Sequence, residues 1–261
     1  MRVQLGTLAC TRGVRLLALD EVDSTNDEAR RLIAAGERGP LWIVASRQTK
    51  GRGRLGRDWV STVGNLHASI VVSDFSETRV APQLGFVAGV AAIRALRAAA
   101  GEKNFQLKWP NDLLLDGGKL GGILLECVGD SAAPVAIVGV GVNVAEAPGG
   151  LPYEARALSA LGAAAPSLET FLGHFSDTFV QTLDVWRGGD GFVHIRQEWL
   201  SYASGLGENI RVALSHETVE GRFDTIDPSG RLVLDTLSGV RVIEAGDVLL
   251  GPRAAKEGAS I

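Results

Sequence analysis

The sequence predicts an α+β fold ending in a small all-β region, and three observations carry that prediction. Between residues 16 and 144, short apolar runs alternate with turns rich in Gly, Pro, Asn and Asp, the pattern of strands. Two stretches, beginning at residues 82 and 167, carry apolar residues at helical spacing. From about residue 207 only short alternating runs remain, which indicates a small β-barrel domain.

Taken in order, residues 16–19 read as a strand, and Val22-Asp23-Ser24-Thr25-Asn26-Asp27-Glu28 opens a helix ending near Gly36. Thr25 with Glu28 fits a capping box, and the acidic first turn suits the helix dipole. An apolar run at 41–45 leads into a loop, and 66–72 is a strand. Pro82 opens and Gly101 follows a helix whose buried face is marked by Leu84, Val87, Val90, Ala91 and Leu96. Residues 105–115 read as a strand broken at Pro110-Asn111-Asp112. Proline donates nothing to a ladder, so the chain is expected to bend there and release Asn111 and Asp112 from regular pairing.

Asp116-Gly117-Gly118 is a hairpin turn that places Lys119 at the start of a returning strand, 120–128. In the apolar strand 135–144, Gly139 and Gly141 leave one side bare for a ligand or another backbone. Asn143 at its end is either a satisfied buried amide or a site residue. After an Ala/Gly/Pro-rich connection at 145–166, Ser167 caps a helix with Phe171, Phe175, Phe179, Leu183 and Trp186 at helical spacing. A second helix holds Ile195 and Trp199, and these aromatics read as core. Strands are expected at 210–213, 218–226, 232–234, 240–243 and 248–250, with turns at 227–230 and 238–239. Residues 252–261 carry no pattern and are expected to be mobile.

The string GRGRLGR at 51–57 interleaves three arginines with three glycines. Gly51, Gly53 and Gly56 satisfy the spacing of a dinucleotide-binding fingerprint, but that motif must open a helix. Here the chain continues through Asp58-Trp59-Val60-Ser61 and Gly64-Asn65 into a strand, so the fingerprint is rejected. Two readings stay open: a solvated turn, or a loop that folds over an anion, since arginine forks match phosphate and carboxylate oxygens.

With 261 residues and 46% apolar content, the chain is long enough for one large domain and one small one. A formal charge of −4 favours neither nucleic acid nor an anionic membrane, so the cationic charge is local. Cys10 and Cys127 have no metal-ligand spacing and are expected to be buried; the four histidines form no cluster. No signal peptide and no membrane-spanning run is read, which sets a cytoplasmic expectation.

Ser24-Thr25-Asn26, RQTKGRGRLGRDW at 47–59, KWPND at 108–112, KLGGIL at 119–124, GVGVN at 139–143 and an all-β tail occur in one order at compact spacing. In this combination the chain resembles the biotin protein ligases over residues 16–250. GRGRxGR and KWPND followed by K-x-x-G-I-L are the specific parts; STN and GxGxN are weak alone. The resemblance implies a mixed β-sheet backed by helices, a class II synthetase-like catalytic fold, with an SH3-like C-terminal barrel. It divides the chain into a catalytic biotin/ATP-binding domain, 1–206, a β domain, 207–253, and a tail, 254–261.

The resemblance also implies an activity: ATP-dependent attachment of biotin to a lysine of a biotin carboxyl carrier domain, through biotinyl-5′-AMP. By resemblance, Ser24, Thr25, Asn26 and Gln48 lie at the biotin ureido ring, and Arg52, Gly53, Arg54, Lys119 and Gly122 complete the biotin site. Arg54, Arg57, Trp59, Asn111, Asp112 and Asn143 are assigned to ATP and the adenylate. Arg54 and Lys119 are the catalytic candidates, and Asp112 is the candidate for contact with Mg²⁺. The loop is expected to be mobile when empty and to close over the biotin carboxylate.

Leu55 departs from the basic residues found there in relatives, and Gly121 replaces a frequent alanine. About fifteen residues precede the first strand, too few for an N-terminal DNA-binding domain, so DNA is not an expected partner; a homodimer is left open. The alternatives are a lipoate or octanoate ligase of the same fold, a non-catalytic biotin-sensing module, and a structural or interaction protein that uses the β tail as its module.

Overall fold

The computed structural model describes residues 3–75, 77–129 and 133–249. A short α1 (Thr7–Thr11) precedes β1 (Arg15–Val22), α2 (Thr25–Ala34), β2 (Leu41–Gln48) and β3 (Leu66–Val72). Then come α3 (Gln83–Ala100), β4 (Phe105–Lys108), β5 (Asp112–Leu115), β6 (Gly118–Val128) and β7 (Val135–Val142). These seven strands form one sheet in the order β1-β2-β3-β7-β6-β5-β4. β1 runs parallel to β2 and every other pair is antiparallel, so the sheet is mixed.

Every residue of β3 is buried because both faces of the sheet are covered. One face carries α3 together with α4 (Leu168–Trp186) and α5 (Phe192–Ser201). Phe171, Phe175 and Phe179 recur along α4; Trp42 of β2 lies edge-on to Phe175 at 5.2 Å and to Phe179 at 5.9 Å, and Phe171 stacks on Phe175. α3 is long and apolar enough to cross a membrane, but Val87, Val90, Ala91 and Ile93 are fully buried in this core. The other face carries α2, whose Ala29 and Ile33 pack on Leu41, Ile43, Val71 and Ile137. Beyond that small cluster, the same face turns polar and glycine-rich.

A second, five-stranded antiparallel sheet has the order β11-β10-β9-β8-β12. Its strands are β8 (Asn209–Ala213), β9 (Thr218–Ile226), β10 (Leu232–Thr236), β11 (Gly239–Ile243) and β12 (Asp247–Leu249). It has the strand content of the SH3-like unit, and the turn after β4 and helix α5 are tied to it by hydrogen bonds to its backbone carbonyls. The buried Trp109 indole donates to Gly230 O at 3.0 Å, and Arg196 Nε donates to Ile226 O at 2.5 Å.

Three expectations need correction. The N-cap of α2 is Ser24, whose hydroxyl accepts from Asp27 N, so Thr25 and Glu28 do not form the capping box. Thr25 lies inside the first turn, where its hydroxyl turns inward. Asp112 is not released from pairing: it begins β5, opposite Lys108 of β4 and Gly122 of β6, so the Pro-Asn corner closes a hairpin. Both cysteines are exposed; in α1 the buried position is Ala9 rather than Cys10, and Cys127 lies near the end of β6. The tail 254–261 lies outside the described residues.

Candidate active site

A cleft of about 1400 Å³ opens between the glycine-rich part of the main sheet, the Arg/Gly loop and the small β domain. Ser24, Thr25, Asn26, Gln48, Arg52, Gly53, Arg54, Arg57, Trp59, Asn111, Asp112, Lys119 and Gly122 all line it. Asn143 lies in a smaller adjoining recess with Trp59, Lys119 and Tyr153.

At the α2 end four uncharged side chains, Thr25, Asn26, Gln48 and Ser69, are bonded to one another. Thr25 N and Thr25 Oγ1 both reach Gln48 Oε1, at 2.8 and 3.1 Å. Ser69 Oγ of β3 lies 2.8 Å from Thr25 Oγ1 and 2.5 Å from Asn26 Oδ1. Asn26 Nδ2 donates to Glu126 Oε2 of β6 at 2.7 Å, and Arg30 of α2 pairs with the other oxygen of Glu126 at 3.0 Å. Gly139 is what admits Asn26: a Cβ there would lie 2.5 Å from Asn26 Oδ1.

Gly141, two residues on and therefore on the same face, is covered by the Trp59 indole; a Cβ there would lie 2.4 Å from the ring. The bare strip is thus filled by side chains of the chain itself. Trp59 Nε1 is buried without a partner, and so is Nδ1 of His67, which stands opposite Gly141 in the ladder. Burial holds the His67 imidazole below its ordinary pKa, which outweighs its hydrogen bond to Thr62 O.

The other end is cationic. A short 3₁₀ turn, Arg54–Gly56, puts Leu55 in the left-handed region at φ 56° and leaves its side chain exposed. Arg54 reaches Asn111 Oδ1 at 3.3 Å, Gly246 O at 3.4 Å and Asp247 at 3.6 Å. Arg57 pairs with the same Asp247 of β12, which raises its pKa. The loop and the small domain are therefore joined at Asp247, which both arginines share, and at the neighbouring Gly246 carbonyl. Asp112 is likewise shared: Lys108 Nζ lies 2.8 Å from one oxygen and Lys119 Nζ 2.7 Å from the other. Burial pushes the Asp112 carboxyl up, the two ammonium groups outweigh it, and its pKa ends below the ordinary value.

Arg52 is held away from the other loop arginines, at α2. It forms a bidentate pair with Asp27 of α2, both contacts at 2.6 Å, which lowers the Asp27 pKa. Asn143 is fixed by Nδ2, which donates to Arg156 O at 3.0 Å, by its backbone N–H, which donates to Leu120 O, and by its carbonyl, which accepts from Leu158 N. Asn111 Nδ2 donates to Ile123 O at 2.6 Å, fixing the turn before β5.

Residues 19–143 match the biotin/lipoate A/B protein ligase family, and residues 205–251 match the biotin protein ligase C terminal domain. A biotin-[acetyl-CoA-carboxylase] ligase from Paracoccus denitrificans is 40% identical over 243 residues, 89% of this chain and 99% of that one. The chain belongs to the biotin protein ligase family. Another member, a bifunctional ligase/repressor from Bacillus subtilis, is 32% identical over 255 residues, 95% of this chain and 78% of that one. The biotin protein ligase of Aquifex aeolicus, solved in complex with biotin and ATP, superimposes with a TM-score of 0.76 at 29% identity. That match covers 90% of this chain and 97% of the other.

Within this ligase fold, the structure adds residues that the sequence reading passed over: Ser69, Glu126, Asp27, Lys108 and Asp247. Lys108 stood inside the KWPND motif, four residues before Asp112, and antiparallel pairing was enough to find it. Nothing local marked Glu126 or Asp247, which meet their partners across 100 and 190 residues.

Proposed function

We propose that this chain catalyses the ATP-dependent attachment of biotin to a lysine of the biotin carboxyl carrier domain of a carboxylase. The observation that carries this reading is one cleft with two chemistries: an uncharged hydrogen-bonding pocket at α2 and a cationic wall beside it. A neutral cyclic urea suits the first, and its unsatisfied polar groups would each cost about 1 to 3 kcal/mol without partners. A carboxylate meeting a triphosphate suits the second.

In the first step a biotin carboxylate oxygen bonds to the α-phosphorus of ATP, the bond to the β-phosphate bridge breaks, and pyrophosphate leaves. Lys119 and Arg54 are placed to offset the repulsion between these anions, with Arg57 and Lys108 toward the phosphates. In the second step the uncharged amine of the acceptor lysine attacks the carbonyl carbon of the mixed anhydride. A C–N bond forms, AMP leaves, and the amine proton passes to solvent. Ser24, Thr25, Asn26 and Gln48 hold the ureido end, Gly53 and Gly122 allow close approach of the backbone, and Trp59, Asn111 and Asn143 shape the nucleotide end. Arg52 would leave Asp27 to cover the carboxylate.

Asp112 does not fit a magnesium ligand in this arrangement, because an ammonium group already lies against each oxygen. Among the described residues no cluster of three or more metal-ligating side chains occurs. Mg²⁺ is therefore proposed as the companion of ATP, held by phosphate oxygens and water, in keeping with its reluctance to dehydrate. The setting proposed is the cytoplasm.

Incubating the protein with MgATP, biotin and a carrier domain, then weighing the carrier, tests the reading. A mass gain of one biotinyl group is expected; no gain with biotin, or a gain with lipoate instead, would overturn it.

A further inference from the structure

The hydrogen-bonded chain at the α2 end has a direction, and Glu126 sets it. A carboxylate has no hydrogen to give, so the atom of Asn26 that meets Glu126 at 2.7 Å must be the amide nitrogen. The other end of that amide, Oδ1, then faces Ser69 and can only accept. The single hydroxyl proton of Ser69 is thereby committed to Asn26, at 2.5 Å, and is withheld from Thr25. Thr25 spends its own proton on Ser69 Oγ or Gln48 Oε1, both within reach. Its oxygen keeps its lone pairs. Beside it, Thr25 N commits Gln48 Oε1, so the donors of that amide are at its other end, Nε2, in a residue that lines the cleft.

We infer that Glu126 is a positioning residue that orients the Asn26–Ser69–Thr25 chain so that Thr25 Oγ1 serves as an acceptor for a ligand N–H. An acceptor next to the Gln48 donor is the complement of a cyclic urea, whose N–H and C=O groups lie side by side. Arg30, on the other oxygen of Glu126, neutralises the carboxylate without touching the chain. Asn26, Ser69 and Thr25 are buried, so water cannot reset the order once Glu126 has imposed it. With a glutamine at 126 the partner of Asn26 can donate or accept. Asn26 is then free to flip, Ser69 to donate to Thr25, and one acceptor position of Thr25 is lost.

This inference rests on the biotin reading above, and its test separates the two. Calorimetry would give the biotin affinity of the full chain and of Glu126→Gln, Thr25→Val, Glu126→Gln/Thr25→Val and Arg30→Gln. Glu126→Gln should weaken biotin binding about tenfold, the loss expected of one buried hydrogen bond. Because Glu126 acts through the Thr25 hydroxyl, adding Glu126→Gln to Thr25→Val should change affinity by less than about twofold. Arg30→Gln should leave affinity unchanged. Wild-type affinity in Glu126→Gln, losses that multiply in the double variant, or an equal loss in Arg30→Gln would each overturn the inference. An unsubstituted chain that binds no biotin would bring down the ligase reading first and this inference with it.

Discussion

At the α2 end of the cleft, Thr25, Asn26, Ser69 and Gln48 are matched donor to acceptor around one carboxylate at the rim. At the other end four cations, Arg54, Arg57, Lys108 and Lys119, share two carboxylates, Asp247 and Asp112. A neutral ligand is recognised by the direction of hydrogen bonds, and direction survives only where water is excluded and every partner is fixed. An anion is recognised by charge, which needs no direction. It is enough to hold more cations than carboxylates and let the surplus turn to phosphate when it arrives. The difference teaches where rigidity is needed in this cleft and where it is not.

The sharpest way to break this division is Lys119→Met. It should slow biotin-dependent ATP/pyrophosphate exchange by roughly a hundredfold or more while changing biotin affinity by less than about threefold. Equal losses in both would mean that the two ends are one unit. In the opposite sense, Gly139→Val drives a Cβ toward a point 2.5 Å from Asn26 Oδ1 and displaces it. Biotin affinity should fall by ~10-fold or more with the ATP KM unchanged, read from titration and initial rates.

Arg54→Gly removes three contacts that tie the loop to Asn111 and the small domain. Adenylation should persist in part, but the anhydride should escape, with labelling of bystander lysines rising about tenfold by mass spectrometry; retention of biotinyl-AMP equal to the parent would end the idea of a cover. A milder contrast comes from salt. Raising ionic strength from ~0.05 to ~0.5 M should raise the ATP KM several-fold and leave biotin affinity nearly flat, since screening acts on charge.

The smallest effect is on stability against pH. Asp112 has a folded pKa below its unfolded value, so the stability it contributes is complete above about pH 4 and is lost as pH falls through the lower folded value. In Lys108→Met/Lys119→Met burial outweighs the remaining attraction to Arg57, and the folded pKa moves above the unfolded one. Stability from this group is then present at low pH and lost as pH rises. Urea midpoints from pH 7 down to about 4 should stay level for the parent and rise for the double variant, once shifts common to both are removed.

Much of this was legible in the chain. Helical spacing located α3 and α4, the Gly-rich turn located the β5–β6 hairpin, and charge density singled out the loop, because each signal is local. The two misreadings near the site were local as well. Thr25-Glu28 has the spacing of a capping box, yet Ser24 takes the cap because Thr25 finds better partners in Gln48 and Ser69, which the sequence places 23 and 44 residues away. The proline before Asp112 suggested a broken strand, yet Lys108 and Gly122 hold Asp112 in the ladder.

By itself the sequence determined which residues carry charge and hydrogen-bonding capacity, which segments are helix or strand, and that the motifs of a biotin protein ligase are present in order. Only the tertiary structure decided which acceptor each donor meets. Arg57 finds Asp247 across 190 residues, and Asn26 finds Glu126 across 100. The physical reason is that a carboxylate on a neighbouring strand or domain leaves no mark near its partner in the chain, while the direction of a buried hydrogen bond depends wholly on which atom it meets.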